Sequence, residues 1–142
     1  MTQLTNQQLD NQTIFDKALF GIRKQDYRKS ANGDVCLYRS VREDGSTLAC
    51  AVGHCIPDAV AEVWDADGFD SSIQAICDRY NESFSEFFSE DSLPLLCQLQ
   101  GTHDTILSSE SFEIEMMDIA KVFGLVYTPP QEQAHLLKEY WE

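Results

Sequence analysis

Apolar residues recur at helical spacing in several separate stretches of the chain. The first set consists of Phe15, Ala18, Leu19 and Ile22. Their intervals of three and four residues predict an amphipathic helix from about Thr13 to Gln25. Thr13 followed by Asp16 resembles a capping box at the start of this helix. The basic residues that begin at Arg23 suit its other end, where the helix dipole favours cations.

Later stretches predict five further helices. The first of these begins near Pro57 and ends at Val63, and the second is capped by Ser71 or Ser72 and runs to Tyr80. The third begins at Ser92, and the fourth runs from Phe112 to Phe123 and is closed by Gly124. The last follows Pro129 and Pro130. These boundaries follow from serine at the cap, proline in the first turn and glycine just past the last turn.

Two other stretches, 35–39 and 46–52, predict short strands around the turn Glu43-Asp44-Gly45. The preferred pairs are Cys36 with Cys50 and Tyr38 with Leu48. This register places the apolar side chains on one face of the hairpin, whereas a slip by one residue would divide them between both faces. Residues 125–127 predict a third short strand.

A two-stranded ribbon is marginally stable alone, so helices must cover it. We therefore expect an α+β fold, a mostly helical single domain packed around a small antiparallel hairpin or sheet. The 142 residues fit one domain, 1–142, that is large enough to bury a core. Residues 1–12 are expected to be a flexible N-terminal segment, and their polar sequence lacks the apolar stretch of a secretory signal.

The charge is strongly acidic and unevenly distributed. Twenty-four Asp and Glu residues and ten Lys and Arg residues give a formal net charge of −14. Residues 1–42 contain seven bases and four acids, a balance of +3, whereas residues 43–142 contain three bases and twenty acids, a balance of −17. Few cations are present to displace counterions from phosphates, so direct nucleic-acid binding is not expected. No apolar run reaches the roughly 18 residues of a membrane span, so no membrane partner is expected.

One group of acids is spaced to line one face of a short helix. It consists of Glu82, Glu86, Glu90 and Asp91. Phe84, Phe87 and Phe88 lie among these acids and are expected in the core or at a partner surface, as in an ordinary amphipathic segment. Two interpretations remain open: a solvated surface that aids solubility, and an acidic surface that competes for the basic groove of a nucleic-acid-binding protein.

Five cysteines, at positions 36, 50, 55, 77 and 97, are expected to be reduced and mostly buried in a cytoplasm. Cys50 and Cys55 lack the close spacing and the second pair that a zinc site needs, so no metal is expected. His54 beside Cys55 indicates a turn rather than a thiol–imidazole pair. Without a phosphate-binding loop, a nucleophile elbow or a zinc-protease motif, we expect no cofactor and favour a binding protein over an enzyme.

A second candidate site combines Tyr38, Arg39, His103 and Asp104. Arginine offers a bidentate fork for carboxylate or phosphate, and tyrosine offers a stacking face, so these residues predict a pocket for a small anionic or nucleotide-like molecule. In the alternative interpretation, His103 and Asp104 cap a helix end while Arg39 pairs with a nearby acid. A hydrolase that uses His103 and Asp104 is a less favoured third interpretation.

Four segments stand in a characteristic order along the chain. They are Cys36 to Arg39 (CLYR), Cys50 to Asp58 (CAVGHCIPD), Leu95 to Asp104 (LLCQLQGTHD) and Ile119 to Tyr127 (IAKVFGLVY). Together they resemble a family of small tailed-phage proteins of unassigned function, with C-x-Y-R, C-A-[VI]-G-x-x-I-P-D and L-Q-x-x-H-D segments. The resemblance covers most of the chain and is most specific in the second segment. Ala59 and Val60 depart from the acidic residue and tyrosine expected there.

The resemblance implies a phage origin and residence in the host cytoplasm, and it assigns no catalytic residues. A small acidic phage protein without catalytic motifs is expected to be an accessory factor that acts by binding. The first hypothesis is inhibition of a host protein, such as a defence nuclease or nucleic-acid-binding protein, through the acidic surface. The second is a small-molecule or nucleotide-binding module at Tyr38, Arg39, His103 and Asp104.

Overall fold

The computed structural model describes residues 8–28, 31–32, 35–41, 45, 47–66, 72–105 and 108–132, with only the backbone described at 31–32, 35–36 and 102–105. The α-helices of these residues are α1 (Asn11–Lys24), α2 (Asp58–Asp65), α3 (Ile73–Arg79), α4 (Asn81–Phe87), α5 (Leu93–Thr105) and α6 (Ser109–Phe123). The strands in the described ranges are short: β1 (Ala31–Asn32), β2 (Val35–Cys36), β3 (Arg39–Val41) and β4 (Thr47–Ala49). Single turns of 3₁₀ helix span Val52–Cys55 and Glu90–Ser92. The predicted α+β, mostly helical fold is confirmed.

Helix α1 begins earlier than its apolar spacing predicts. Asp10 caps it, and the carboxylate of Asp10 accepts a 2.7 Å hydrogen bond from the backbone N–H of Thr13. Thr13 is therefore the third helical residue, and the predicted capping box at Thr13 and Asp16 is wrong. Gln8 and Leu9, just before the cap, bond to backbone carbonyls at the end of α4. Residues 8–12 are thus held in place, while the rest of the predicted flexible segment, 1–7, lies outside the described residues.

The hairpin forms with a different register. Strands β3 and β4 pair Arg39 with Ala49, Ser40 with Leu48 and Val41 with Thr47, which is a shift of two residues from the predicted pairing. Strand β2 pairs instead with β1 in a separate two-stranded sheet, and the chain after Cys50 turns into 3₁₀ helix. Because side chains alternate with a period of two, a shift of two residues keeps even-numbered residues on one face, and Leu48 there faces Ser40. The predicted apolar face is nevertheless wrong, because Cys36, Cys50 and Val52 lie outside this hairpin.

The later helices follow their predicted signals closely. Ser72 caps α3, and Gly124 ends α6 with a φ of +68°, the left-handed conformation that glycine adopts readily. The predicted third strand is wrong, because residues 125–127 form no strand. The side-chain amide of Gln12 instead bonds both to the N–H and to the carbonyl of Val126, at 2.9 and 3.0 Å. The predicted final helix falls mostly on residues 133–142, outside the described part of the chain.

Helix α1 lies at the centre of the hydrophobic core. Five of its side chains are fully buried: Ile14, Phe15, Ala18, Leu19 and Ile22. The 3₁₀ turn Val52–Cys55 packs closely against α1 at Gly21. A Cβ added to Gly21 would overlap the imidazole ring of His54. The His54 ring Nε2 lies 3.0 Å from Gln25 Oε1, so this histidine packs against α1 and shares a hydrogen bond with it.

Candidate interaction surface

The acids at 82 and 86 lie on α4, and the helix holds them facing outward. Glu82 and Glu86 are both exposed and stand four residues apart, so they share one face of the helix. The opposite face is fixed by Phe84, which is fully buried, and by Ser83, whose hydroxyl accepts a 3.0 Å hydrogen bond from the Trp64 indole. This anchoring explains how phenylalanines can lie among the acids in sequence while the carboxylates remain in water.

The prediction that all four acids line one short helix is wrong, because α4 ends at Phe87 and Glu90 and Asp91 lie in the separate 3₁₀ turn Glu90–Ser92, where both are exposed. Ser92, at the end of the turn, is buried, and its hydroxyl donates a 2.7 Å hydrogen bond to the side-chain oxygen of Asn11 on α1. Within the described residues, no lysine or arginine forms an ion pair with Glu82, Glu86, Glu90 or Asp91. We call these four residues the acidic surface.

A groove of about 360 Å³ opens between α5 and α6. Its described lining consists of Pro94, Cys97, Gln98, Glu115, Asp118, Ile119, Val122 and Phe123. Ile119 is buried in the floor, whereas Val122 is 78% exposed and stands open to solvent. The two charged lining residues are Glu115 and Asp118, both exposed acids. The spacing of Ile114 and Met117 on α6 signals amphipathicity, yet both are about half exposed and lie outside this lining.

The acidic surface and the groove are connected through the start of α5. Glu90 and Asp91 lie in the 3₁₀ turn that leads directly into α5, and Pro94, in the first turn of α5, lines the groove. Cys97 lines the groove on α5, and Cys77 on α3 lies close enough to interact electrostatically with it. Burial, with the nearby charges of Glu90 and Asp78, raises the pKa of the Cys77 thiol.

The structure places Tyr38 and Arg39 where protein groups already bind them. Tyr38 is 2% exposed, and its hydroxyl accepts a 3.1 Å hydrogen bond from Gln100 on α5. The backbone N–H groups of both residues donate to the carboxylate of Asp65, at 2.8 and 3.0 Å. Burial raises the pKa of Asp65, and these two N–H donors together with the Arg39 charge partly offset that rise. Tyr38 also packs edge-on against Trp64.

The guanidinium of Arg39 fastens the segment that leads into α2. Its two terminal nitrogens donate to the carbonyls of Gly53 and Ile56, at 3.1 and 2.9 Å. Its Nε lies 2.8 Å from a carboxylate oxygen of Asp58, but the N–H is not aligned for a hydrogen bond, so this contact is an ion pair only. The observed contacts match the alternative in which Arg39 pairs with a nearby acid.

His103 and Asp104 lie in the last turn of α5, and their side chains fall outside the described residues. Gln100, one turn earlier, brings the end of α5 against Tyr38. The pocket for a small anionic molecule at these residues stays a prediction. In the described part of the chain, no three His, Cys, Asp or Glu residues are grouped to hold a metal.

Cys55 is not arranged for nucleophilic chemistry. Cys55 is buried, its thiol lies 3.6 Å from the Ile14 carbonyl oxygen, and burial raises its pKa to about 12. A thiol with that pKa carries almost no thiolate at neutral pH, and the thiolate is the reactive form. Its neighbour His54 instead contacts Gln25, as described above.

Sequence reasoning missed a charged cluster between α1 and α6. Arg23 binds both carboxylate oxygens of Glu113, at 2.8 and 2.5 Å. The hydroxyls of Tyr27 and Tyr127 donate to the same carboxylate, at 2.8 and 2.5 Å. Tyr27 reaches it because Asp26 and Tyr27 adopt left-handed φ angles of 59° and 62° at the end of α1. These residues lie up to 104 positions apart, so no local pattern could reveal the cluster.

These donors determine the protonation of the cluster. Burial opposes ionisation of Glu113, but the hydrogen bonds from Arg23, Tyr127 and Tyr27 outweigh it and lower the pKa of that carboxyl group. Burial and the bond to Glu113 raise the pKa of Tyr127 to about 12. Every member has a partner, so the cluster is suited to fastening α6 to α1 rather than to binding a ligand.

Comparison with known protein families, with curated proteins and with solved structures finds no match to this chain. Among the described residues, no helix has the length and hydropathy that crossing a membrane requires.

Proposed function

We propose that this protein is a phage accessory protein that binds a host protein and inhibits it through the acidic surface. The target in this proposal is a host protein with a basic face, such as a defence nuclease or a nucleic-acid-binding protein in the host cytoplasm. The observation that carries the proposal is the placement of Glu82, Glu86, Glu90 and Asp91, which are all exposed and form no ion pair with a described cation.

Electrostatics gives this surface a physical role. Residues 43–142 carry a balance of −17, and exposed like charges raise the local concentration of a basic partner and speed its association. Such steering is screened by salt, with a Debye length of about 10 Å at 0.1 M. Binding to a nucleic-acid-binding groove would then compete with the natural polyanion of that groove.

The experiment compares two double charge reversals that change the net charge equally. The test variant carries Glu82→Lys and Glu86→Lys, and the control variant carries Glu62→Lys and Glu132→Lys, which are exposed acids elsewhere on the chain. Tagged protein is recovered from the bacterial host at low and high salt, and native mass spectrometry identifies bound polypeptides.

We expect one host polypeptide to accompany the wild type and the control variant at low salt, and to be lost from the test variant and at high salt. The purified host protein must also lose activity when the wild type is added. Equal capture by both variants would show that the acidic surface does not bind, and recovery of the protein with neither polypeptide nor inhibition would overturn the proposed function.

A further inference from the structure

We propose that the groove between α5 and α6 is the docking site for a basic amphipathic helix of the partner. This inference rests on the proposed function. It adds a second contact site for the partner, the groove, and it states that the partner segment bound there is basic and amphipathic. The acidic surface would attract the partner, and the groove would hold it.

The floor of the groove is suited to apolar side chains. Pro94 from α5 and Ile119, Val122 and Phe123 from α6 provide its apolar surface. Its volume of about 360 Å³ exceeds the roughly 150 Å³ of a protein cavity that can bind benzene. Val122 is 78% exposed, so covering it would remove apolar surface from water and favour binding.

The rim of the groove selects the charge of the occupant. Glu115 and Asp118 stand on α6, three residues apart and therefore on the same side of the helix. Glu90 and Asp91 add negative charge in the 3₁₀ turn that leads into α5. No described lining residue is basic. An apolar segment flanked by lysine or arginine would be complementary to this combination of floor and rim.

The shape of the groove between α5 and α6 favours a helix as the bound segment. Two neighbouring helices present a groove into which a third helix can pack its ridge of side chains. A helical segment with apolar residues at positions i, i+3, i+4 and i+7 would place them along the floor and leave its basic residues at the rim. A second copy of this chain is a poorer occupant, because it would bring its own acidic surface, from a molecule of net charge −14, towards the same acids.

The test uses a synthetic helical peptide of about four turns that contains only leucine and lysine, with leucine at those four positions and their repeats. A second peptide has the same composition in an order that scatters the leucines, and a third has glutamate in place of lysine. Binding to the full chain is measured by fluorescence anisotropy, and the site is mapped by amide chemical shifts in NMR. We expect the first peptide to bind most tightly and to shift amides of α5 and α6 around the groove.

Two matched variants decide whether the groove is the site. Val122→Asp places a charge on the groove wall, and Val63→Asp makes the same change at an exposed valine on α2. We expect Val122→Asp to weaken the first peptide by about tenfold or more, which corresponds to about 1.4 kcal/mol, and Val63→Asp to leave its affinity within about twofold. Glu115→Lys with Asp118→Lys should weaken the lysine peptide and strengthen the glutamate peptide.

Several outcomes would overturn the inference: equal affinity for the ordered and scattered peptides, shifts confined to the acidic surface, or a dimer that the peptide does not dissociate. The two proposals fail separately. If the host polypeptide is lost with Glu82→Lys and Glu86→Lys but retained by Val122→Asp, the proposed function stands and the groove inference falls. If Val122→Asp abolishes peptide binding while no host polypeptide is ever captured, the groove binds basic helices and the proposed function falls.

Discussion

The cluster around Glu113 allows a sharp test of how this fold is held together. Glu113→Gln keeps the size of the side chain and removes the negative charge that pairs with Arg23. The side chains of Arg23 and Glu113 are only 5% and 16% exposed. Removing one partner of a buried pair costs about 3–5 kcal/mol, because the remaining charge stays desolvated. Since Glu113 retains some solvent contact, we expect a loss of roughly 2–4 kcal/mol.

The loss is measured by thermal and urea unfolding followed by circular dichroism. For a chain of this size, 1 kcal/mol corresponds to a shift in Tm of about 3–4 °C, so the expected fall is about 6–16 °C. The matched control is Glu115→Gln, which neutralises an exposed glutamate two residues along α6 and should change the free energy of unfolding by less than about 0.5 kcal/mol.

The pH dependence provides a second readout of the same cluster. Because the pKa of Glu113 is lowered in the folded state, its contribution is complete above the unfolded pKa and is lost as the pH falls through the lower folded value. Because the pKa of Tyr127 is raised to about 12, its contribution is complete below about pH 10 and is lost as the pH rises towards 12. Glu113→Gln should therefore weaken the loss of folding stability that the wild type shows as the pH falls. If the variant lowers Tm by less than about 2 °C, or if its stability falls with acid as steeply as that of the wild type, the role given to Glu113 is refuted.

Three further predictions follow from individual contacts. Gly21→Ala should destabilise the fold by about 1–3 kcal/mol in urea unfolding, because the new Cβ would overlap the imidazole ring of His54. The control Gly101→Ala should stabilise the fold by about 0.4–1 kcal/mol, because a Cβ there meets no other atom and alanine restricts the unfolded chain. Arg39→Ala should lower Tm without any ligand, because it releases the carbonyls of the segment before α2; an unchanged Tm would favour the ligand-site hypothesis. With a thiol reagent at pH 8, Cys97→Ser should remove a rapid reaction and Cys55→Ser should not.

Local signals in the sequence predicted much of the helical structure. Ser72 and Gly124 mark helix ends that depend on a single side chain or a single backbone conformation, and both lie where the sequence predicts. The start of α1 was misplaced because Asp10 and Thr13 are both acceptable caps, and only the hydrogen bond from the Thr13 N–H to Asp10 shows which one is used.

The register of the hairpin could not be predicted from local sequence. Burial specifies which face a strand presents, and registers that differ by two residues bury the same side chains. The choice between them depends on contacts from elsewhere in the chain. Gln25 at the end of α1 binds both the N–H and the carbonyl of Ala49, and β2 pairs with β1 rather than with β4. The exposure of Glu82, Glu86, Glu90 and Asp91 was easier to predict, because a charged side chain needs no partner to remain in water.

Two arginines bond to protein groups other than the acids of the acidic surface, which bears on whether that surface aids solubility or binds a partner. Arg23 and Arg39 are both turned towards protein groups, so these two cations do little to offset the acids at the surface. A surface that serves only solubility depends on the total charge, and any two exposed acids are then equivalent. A binding surface depends on position. The paired reversals at Glu82 with Glu86 and at Glu62 with Glu132 change the total charge equally, so a difference between them can arise only from where the acids lie.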